Sequence, residues 1–118
     1  MDETTSYDSQ PPIFSLRFLA KSHDLEKCEL NEKAAFADKL CKLGKSEWRE
    51  LRQAPRHGMG YEKIDRSAIK PGIPSHITED VDFIAFRFYN KAPMVGYRDR
   101  QIFHVVWLDR KFDVYSHG

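Results

Sequence analysis

The fold is decided by residues 82–108, which read DFIAFRFYNKAPMVGYRDRQIFHVVWL. Three runs rich in aromatic and β-branched residues lie in this stretch, at 82–89, 94–98 and 101–108, and such runs are typical of strands. The segments 90–93 and 99–100 between them are short and polar, so the pattern predicts consecutive antiparallel hairpins. A further strand is predicted at 112–115.

The preceding part of the chain predicts two helices and one or two additional strands. Residues 31–43 carry an apolar stripe formed by Phe36, Leu40 and Leu43, with Cys41 beside it as a buried thiol. A shorter helix is predicted at 47–53, because Pro55 stops it. Residues 13–19 predict a first strand, and residues 61–64 could form another.

Together these elements predict an α+β fold. Two N-terminal helices would pack on one face of a four- to five-stranded, mainly antiparallel sheet. Residues 13–118 would form this single domain, and residues 1–12, which are polar and end in two prolines, would form a flexible N-terminal arm.

Length and charge limit the classes of function. The chain has 118 residues, with 19 Lys and Arg against 18 Asp and Glu, so any nucleic-acid site must be a local basic patch. No apolar run approaches the ~20 residues that a membrane helix needs, and the polar start lacks the features of a secretory signal. These observations predict a cytoplasmic protein without a membrane partner. The two cysteines and the histidine spacings predict no metal and no cofactor.

The densest group of ionisable residues precedes the predicted meander, in the segment RHGMGYEK at 56–63. It lies in a region, 55–74, that holds many of the glycines and prolines, and such loops are often functional. Arg56, His57, Glu62 and Lys63 would supply a cation, a base and an acid within a short stretch. The alternative is a solvated turn with a surface charge pair.

Alternation along the strands assigns side chains to the two faces of the sheet. Arg87 shares a face with Phe83, Ala85 and Tyr89 and is expected to point outward, at least partly exposed. Phe86 lies on the opposite, core face. In the 101–108 run, Phe103, Val105 and Trp107 share one face, while Ile102, His104, Val106 and Leu108 share the other. Trp107 is expected to be buried, and His104 is either a core histidine or a functional one.

Five residues are predicted to converge on one side of the sheet: Glu62, Arg87, Arg98, His104 and His117. A hairpin centred near 91–93 would place the two arginines roughly opposite each other. Two adjacent arginines without an acidic neighbour would repel unless an anion binds between them. The alternative is that Asp80, Asp82 or Asp99 neutralises the arginines and that the cluster is structural.

This architecture and residue placement resemble the RelE/YoeB-like bacterial mRNA interferases, the toxins of toxin–antitoxin modules. The resemblance spans about residues 13–117. It implies a metal-independent ribonuclease that cleaves mRNA at the ribosome by attack of the ribose 2′-hydroxyl, with a cognate antitoxin protein as partner. Glu62 would be the general base, Arg87 and Arg98 the cations on the phosphate, and His117 or His104 the general acid. The residues expected to bind substrate are Arg56, His57, Tyr61, Lys63 and Tyr115.

A rival hypothesis is a non-enzymatic protein-binding or regulatory module that docks through an aromatic face of the sheet. In that case Glu62, Arg87 and His117 would be incidental. Growth arrest that depends on Arg87 would favour the ribonuclease, since a binding module should not cause it.

Overall fold

The computed structural model describes residues 7–116. Its helices are α1, Leu30–Leu43, and α2, Trp48–Gln53. Its strands are β1, Ile13–Ser15; β2, Tyr61–Ile64; β3, Phe83–Tyr89; β4, Ala92–Asp99; and β5, Ile102–Leu108. Short 3₁₀ turns cover Lys21–His23, Leu25–Lys27 and Arg66–Ala68. No helix within 7–116 is long and apolar enough to cross a membrane.

The five strands form one mixed sheet in the order β1-β5-β4-β3-β2. Strands β2 to β5 pair antiparallel in sequence order, whereas β1 lies parallel to β5 at the far edge. The predicted α+β class with a mainly antiparallel, five-stranded sheet is therefore confirmed. The edge strand β1 is shorter than the predicted run 13–19, because the chain turns after Ser15. In this turn the Leu19 N–H donates a hydrogen bond to Leu16 O.

The helices bury their apolar residues against one face of the sheet. Phe36 and Leu43 of α1 and Trp48 and Leu51 of α2 join a core cluster with Phe86 of β3. Both helices begin with a capping box, in which two glutamates exchange hydrogen bonds with backbone N–H groups across the first turn. The buried stripe of α1 does not include Cys41, which is exposed, so its predicted burial was wrong; Cys28 is the buried thiol.

The opposite face of the sheet is covered as well. Phe83, Ala85, Val95 and Trp107 lie in a second core cluster with apolar residues from the segment after β1, the loop between β2 and β3, and the segment after β5. Those covering residues include Phe18, Ile69, Ile73, Ile77, Val114 and Tyr115. The prediction that Phe83 and Ala85 lie on an outward surface was therefore wrong. Among the described residues, the end of this face near Arg87 borders an open cleft, and Arg87 is partly exposed as predicted.

A β-bulge in β5 changes which face Trp107 occupies. Val95 pairs with Trp107 while the next residue, Gly96, pairs with Val105, so Val106 is the extra residue of the bulge. Trp107 consequently joins the second cluster, away from Phe103 and Val105. Its predicted burial is confirmed, since it is 0% exposed, but its predicted face was wrong.

The segment 112–115 is a turn rather than the predicted strand. The buried carboxylate of Asp109 accepts hydrogen bonds from the N–H groups of Asp113, at 2.8 Å, and Val114, at 3.1 Å. Phe112 has a φ of 60°, which an extended strand does not allow. This turn directs Val114 and Tyr115 back over the sheet, where both are buried.

Residues 7–12, the described part of the predicted arm, contact the domain. Trp48 N–H donates to Gln10 O at 3.0 Å, and Gln101 Nε2 donates to Pro11 O at 2.9 Å. Asp8 forms ion pairs with Arg52 and Arg98. These contacts fasten the segment to α2 and to the turn between β4 and β5.

Candidate active site

A cleft of about 490 Å³ opens where the second sheet face is left uncovered. It lies beside the edge strand β2 and is bounded by β3, by the turn between β3 and β4, and by the C-terminal segment. The polar and charged side chains that line it are Arg56, Glu62, Lys63, Asp65, Arg87, Lys91, Tyr115 and Ser116. Four of them are cationic and two are anionic, so the lining is net positive in a protein of nearly neutral charge.

Glu62 is held at the wall of this cleft by contacts to both of its carboxylate oxygens. In β2 it pairs with Ala85 of β3, so its side chain lies on the second sheet face. Tyr115 donates its hydroxyl to Oε1 at 2.9 Å, and Arg56 Nη1 donates to Oε2 at 2.5 Å. The side chain of Glu62 remains 32% exposed, so it is accessible from the cleft.

Tyr115 is a buried proton donor beside this carboxylate. Burial is the main cause that raises the pKa of Tyr115 well above its ordinary value, and the hydrogen bond and negative charge of Glu62 add to the increase. The hydroxyl therefore keeps its proton at neutral pH and fixes the orientation of Glu62.

Arg87 and His57 form the second interaction of the site. Arg87 Nη1 lies 2.8 Å from His57 Nδ1. Because a guanidinium only donates hydrogen bonds, Nδ1 must be unprotonated and accept. Arg87 forms no ion pair with a carboxylate of residues 7–116, so its charge is available to an anion in the cleft.

Gly60 brings the segment carrying Arg56 and His57 against the sheet. Its N–H donates to Pro55 O at 3.0 Å, which closes the loop before β2. A Cβ atom at this position would lie 2.0 Å from Ala54 O and 2.9 Å from Pro55 O. Only glycine permits this approach of the backbone, which places Arg56 next to Glu62 and His57 next to Arg87.

Arg98 lies on the opposite, helix-bearing face, so its predicted place beside Arg87 was wrong. The hairpin turns tightly after Tyr89, which pairs Arg87 with Pro93 and places Arg98 at the far end of β4. The Arg98 guanidinium stacks 4.3 Å from the Trp48 ring centroid and pairs with Asp8 at 2.8 Å. The alternative, in which Asp80, Asp82 or Asp99 neutralises both arginines, also does not describe Arg98, because its ion pair is with Asp8.

His104 faces the same side as Glu62 but lies three strands away, which is roughly 14 Å at ordinary strand spacing. It stacks on Tyr97, with ring centroids 4.9 Å apart, and contacts Phe18. Burial lowers the pKa of His104, and its Nδ1 atom has no hydrogen-bond partner within residues 7–116. The predicted convergence of His104 on the site was wrong.

Three further predicted site residues have different outcomes. Tyr61 packs against Trp48 and Phe86 on the helix-bearing face, so its predicted role beside the substrate does not fit its position. Lys63 lines the cleft, and its Nζ lies 3.4 Å from an Asp82 carboxylate oxygen. His117 lies outside the described residues.

Lys91 is a cleft residue that the sequence analysis did not select. It occupies the turn between β3 and β4 and lines the cleft together with Arg87 and Pro93. The signal that could have found it is the hairpin itself: Tyr89 pairs with Ala92 across a two-residue turn, which places Lys91 close to Arg87.

A separate group could supply metal ligands. His23, Asp109 and Asp113 each place a ligand atom within 4.8 Å of the others. These ligand atoms already take part in other hydrogen bonds. His23 Nε2 lies 2.7 Å from Asp113 Oδ1, and both Asp109 oxygens accept hydrogen bonds from backbone N–H groups. His23 and Asp113 line a small cavity together with Lys27, Arg110 and Lys111, whose positive charges would repel a metal cation. We therefore interpret the group as a set of hydrogen bonds that stabilises the C-terminal turn.

No protein-family model matches this chain, and comparisons with curated proteins and with solved structures found no match. The chemistry of the cleft is thus the basis on which a function can be assigned.

Proposed function

We propose that this protein is a metal-independent endoribonuclease, the toxin of a toxin–antitoxin module, which cleaves mRNA at the ribosome in the cytoplasm. The observation that carries the proposal is the meeting of Glu62 with Arg56, Arg87 and Lys91 in one open cleft. A base beside several cations is the set of groups that attack of a 2′-hydroxyl on the adjacent phosphate requires.

In the proposed reaction Glu62 takes the proton of the ribose 2′-hydroxyl. The 2′-oxygen then bonds to phosphorus, the bond from phosphorus to the 5′-oxygen breaks, and the leaving oxygen takes a proton from water. The products carry a 2′,3′-cyclic phosphate and a 5′-hydroxyl. Each carboxylate oxygen of Glu62 has a second lone pair beyond the one used by Tyr115 or Arg56, so the base stays competent while it is held in place.

The cations stabilise the charge that develops on the phosphate. Arg87 has no carboxylate partner in the described chain and presents several N–H donors, of which His57 uses one. Arg56 is 55% exposed and can exchange its contact with Glu62 for one with the phosphate. Arg98 and His104 have no part in this proposal, because they lie elsewhere in the fold.

A protein-binding module is the alternative function, and the structure gives it less support. Phe83, an aromatic residue of the face that was expected to point outward, is 0% exposed. The cationic cleft remains as a surface for a partner, and in the proposed toxin the cognate antitoxin would cover it.

Induced expression in bacterial cells tests the proposal. The unaltered protein should arrest growth and fragment mRNA, and Glu62→Gln or Arg87→Ala should abolish both effects. Glu26→Gln and Arg49→Ala are matched controls, because both residues are exposed and lie outside the cleft. Arrest by Arg87→Ala at the level of the unaltered protein, with equal amounts of both present, would contradict the ribonuclease assignment.

A further inference from the structure

A second cavity adjoins the candidate active site at Arg87. It has a volume of about 340 Å³ and lies between α1, the loop before β2 and the end of β3. Its polar lining includes Asp38, Lys39, Lys42, His57, Arg87 and Asn90. Arg87 lines both cavities. A linear polymer bound at Glu62 can therefore continue past this guanidinium toward α1.

Lys39 is the unusual residue of the second cavity. Its Nζ donates to Gly58 O at 3.1 Å and lies 3.9 Å from Met59 Sδ, and it forms no ion pair with any carboxylate in 7–116. Burial, aided by the nearby charge of Lys42, lowers the pKa of Lys39. By contrast, the exposed Lys42 pairs with Asp38 at 2.8 Å, four residues earlier on the helix.

We propose that the second cavity binds a neighbouring backbone phosphate of a single-stranded RNA whose scissile phosphate lies between Glu62 and Arg87. Lys39 contacts that phosphate, and His57 and Arg87 form the passage between the two positions. This inference rests on the proposed function and names its substrate: an unpaired RNA segment longer than a dinucleotide, rather than a small phosphate ester.

The charge arrangement supports an anionic polymer as the occupant. A partly buried ammonium group with only neutral acceptors lacks the counter-charge that usually accompanies burial, and a phosphate would supply it. The charged residues that line each cavity are mostly cationic, although the chain as a whole is nearly neutral. Phosphates recur along a nucleic-acid strand, so one ligand can satisfy both positions.

Binding by fluorescence anisotropy separates this inference from cleavage. The probes are a labelled eight-nucleotide RNA with 2′-O-methyl groups throughout, which cannot be cleaved by 2′-hydroxyl attack, and a labelled dinucleotide of the same chemistry. We expect Lys39→Ala to weaken binding of the longer probe about tenfold and to change dinucleotide binding less than twofold, since only the longer probe reaches the second cavity. The dependence of log affinity on log salt should fall by about 0.7 for the lost phosphate contact.

Lys33→Ala is the matched control, because Lys33 is an exposed lysine of the same helix outside the cavity. Lys39→Arg, which keeps the charge, should retain most of the affinity and shows that Lys39→Ala does not act through folding. Equal loss for both probes, an equal effect of Lys33→Ala, or no binding of the longer probe would overturn the inference. So would tighter binding of an eight-residue glutamate peptide at the same position. Length-dependent binding through Lys39 without any RNA cleavage would retain the second position and reject the ribonuclease.

Discussion

The hydroxyl of Tyr115 donates a hydrogen bond to Oε1 of Glu62 over 2.9 Å, although 53 positions of sequence separate the two residues. This contact joins the C-terminal segment to the edge strand β2 and closes one side of the cationic cleft. It depends on the turn that Asp109 stabilises, because that turn directs Tyr115 back over the sheet. The base of the proposed reaction is thus positioned by a segment that belongs to no strand.

Tyr115→Phe should reduce both stability and activity. Loss of a hydrogen bond to a charged, half-buried carboxylate should lower the free energy of unfolding by about 1.5–3 kcal/mol. RNA cleavage should fall but persist, since Glu62 and the cations remain. Urea unfolding and a cleavage assay measure the two effects. Tyr89→Phe is the control, because that hydroxyl contacts Asn31 on the helix-bearing face of the sheet. Equal stability of Tyr115→Phe and the unaltered protein would show that the contact is not formed in solution.

Trp107→Ala should be among the most destabilising substitutions. Trp107 is 0% exposed and its ring packs 5.7 Å from that of Phe83. Removing the side chain leaves a large cavity, and we expect a loss of about 3–5 kcal/mol in the free energy of unfolding. Leu30→Ala is the control, because Leu30 is 83% exposed and should change stability by less than about 0.5 kcal/mol. A loss below about 1 kcal/mol for Trp107→Ala would contradict its position in the core.

Gly96→Ala tests the close contact between β4 and β5 at the bulge. A Cβ atom at Gly96 would lie 1.9 Å from His104 O, so the strands must separate to accept it. We expect a loss of roughly 1–3 kcal/mol or more. Gly72→Ala meets no atom within 4 Å and should be neutral or slightly stabilising. Thermal unfolding of the two variants side by side decides the matter, and equal melting temperatures would contradict the described register.

Acidification should destabilise the protein through His104. Burial lowers the folded-state pKa of His104 below its ordinary value of 6.5, and nearby His76 acts in the same direction. A base whose folded pKa is lowered binds fewer protons in the folded state, so its contribution to stability is complete above pH 6.5 and is lost as the pH falls below that value. Urea unfolding at about pH 7.5 and about pH 5 should show a smaller pH dependence for His104→Phe than for the unaltered protein. The same pH dependence in both proteins would exclude His104 as the cause.

The central part of the fold could be predicted from sequence because local patterns determine it. The aromatic and β-branched runs of 82–108 specify three paired strands, and the stripe of Phe36 and Leu43 specifies the helix that covers them. The face of Trp107 could not be predicted, since the bulge at Val106 depends on the close approach of Gly96 to the neighbouring strand. The turn at 112–115 likewise depends on a buried carboxylate rather than on alternation.

The candidate site was predictable only in part for the same reason. Glu62 and Arg87 were found because both lie in segments that the sequence predicts to be strands. Arg98 was misplaced because alternation in β4 puts it on the helix-bearing face with Met94, where its partners Asp8 and Trp48 are distant in sequence. Lys91 was missed because its closeness to Arg87 follows from a hairpin register that polar composition does not reveal.

The most direct test is to identify the RNA ends formed by purified protein on mRNA bound to ribosomes. The account predicts cleavage that yields 2′,3′-cyclic phosphate and 5′-hydroxyl ends, and loss of this cleavage in Glu62→Gln while Glu26→Gln remains active. Absence of cleavage by the unaltered protein, products with 5′-phosphate ends, or full activity of Glu62→Gln would contradict it.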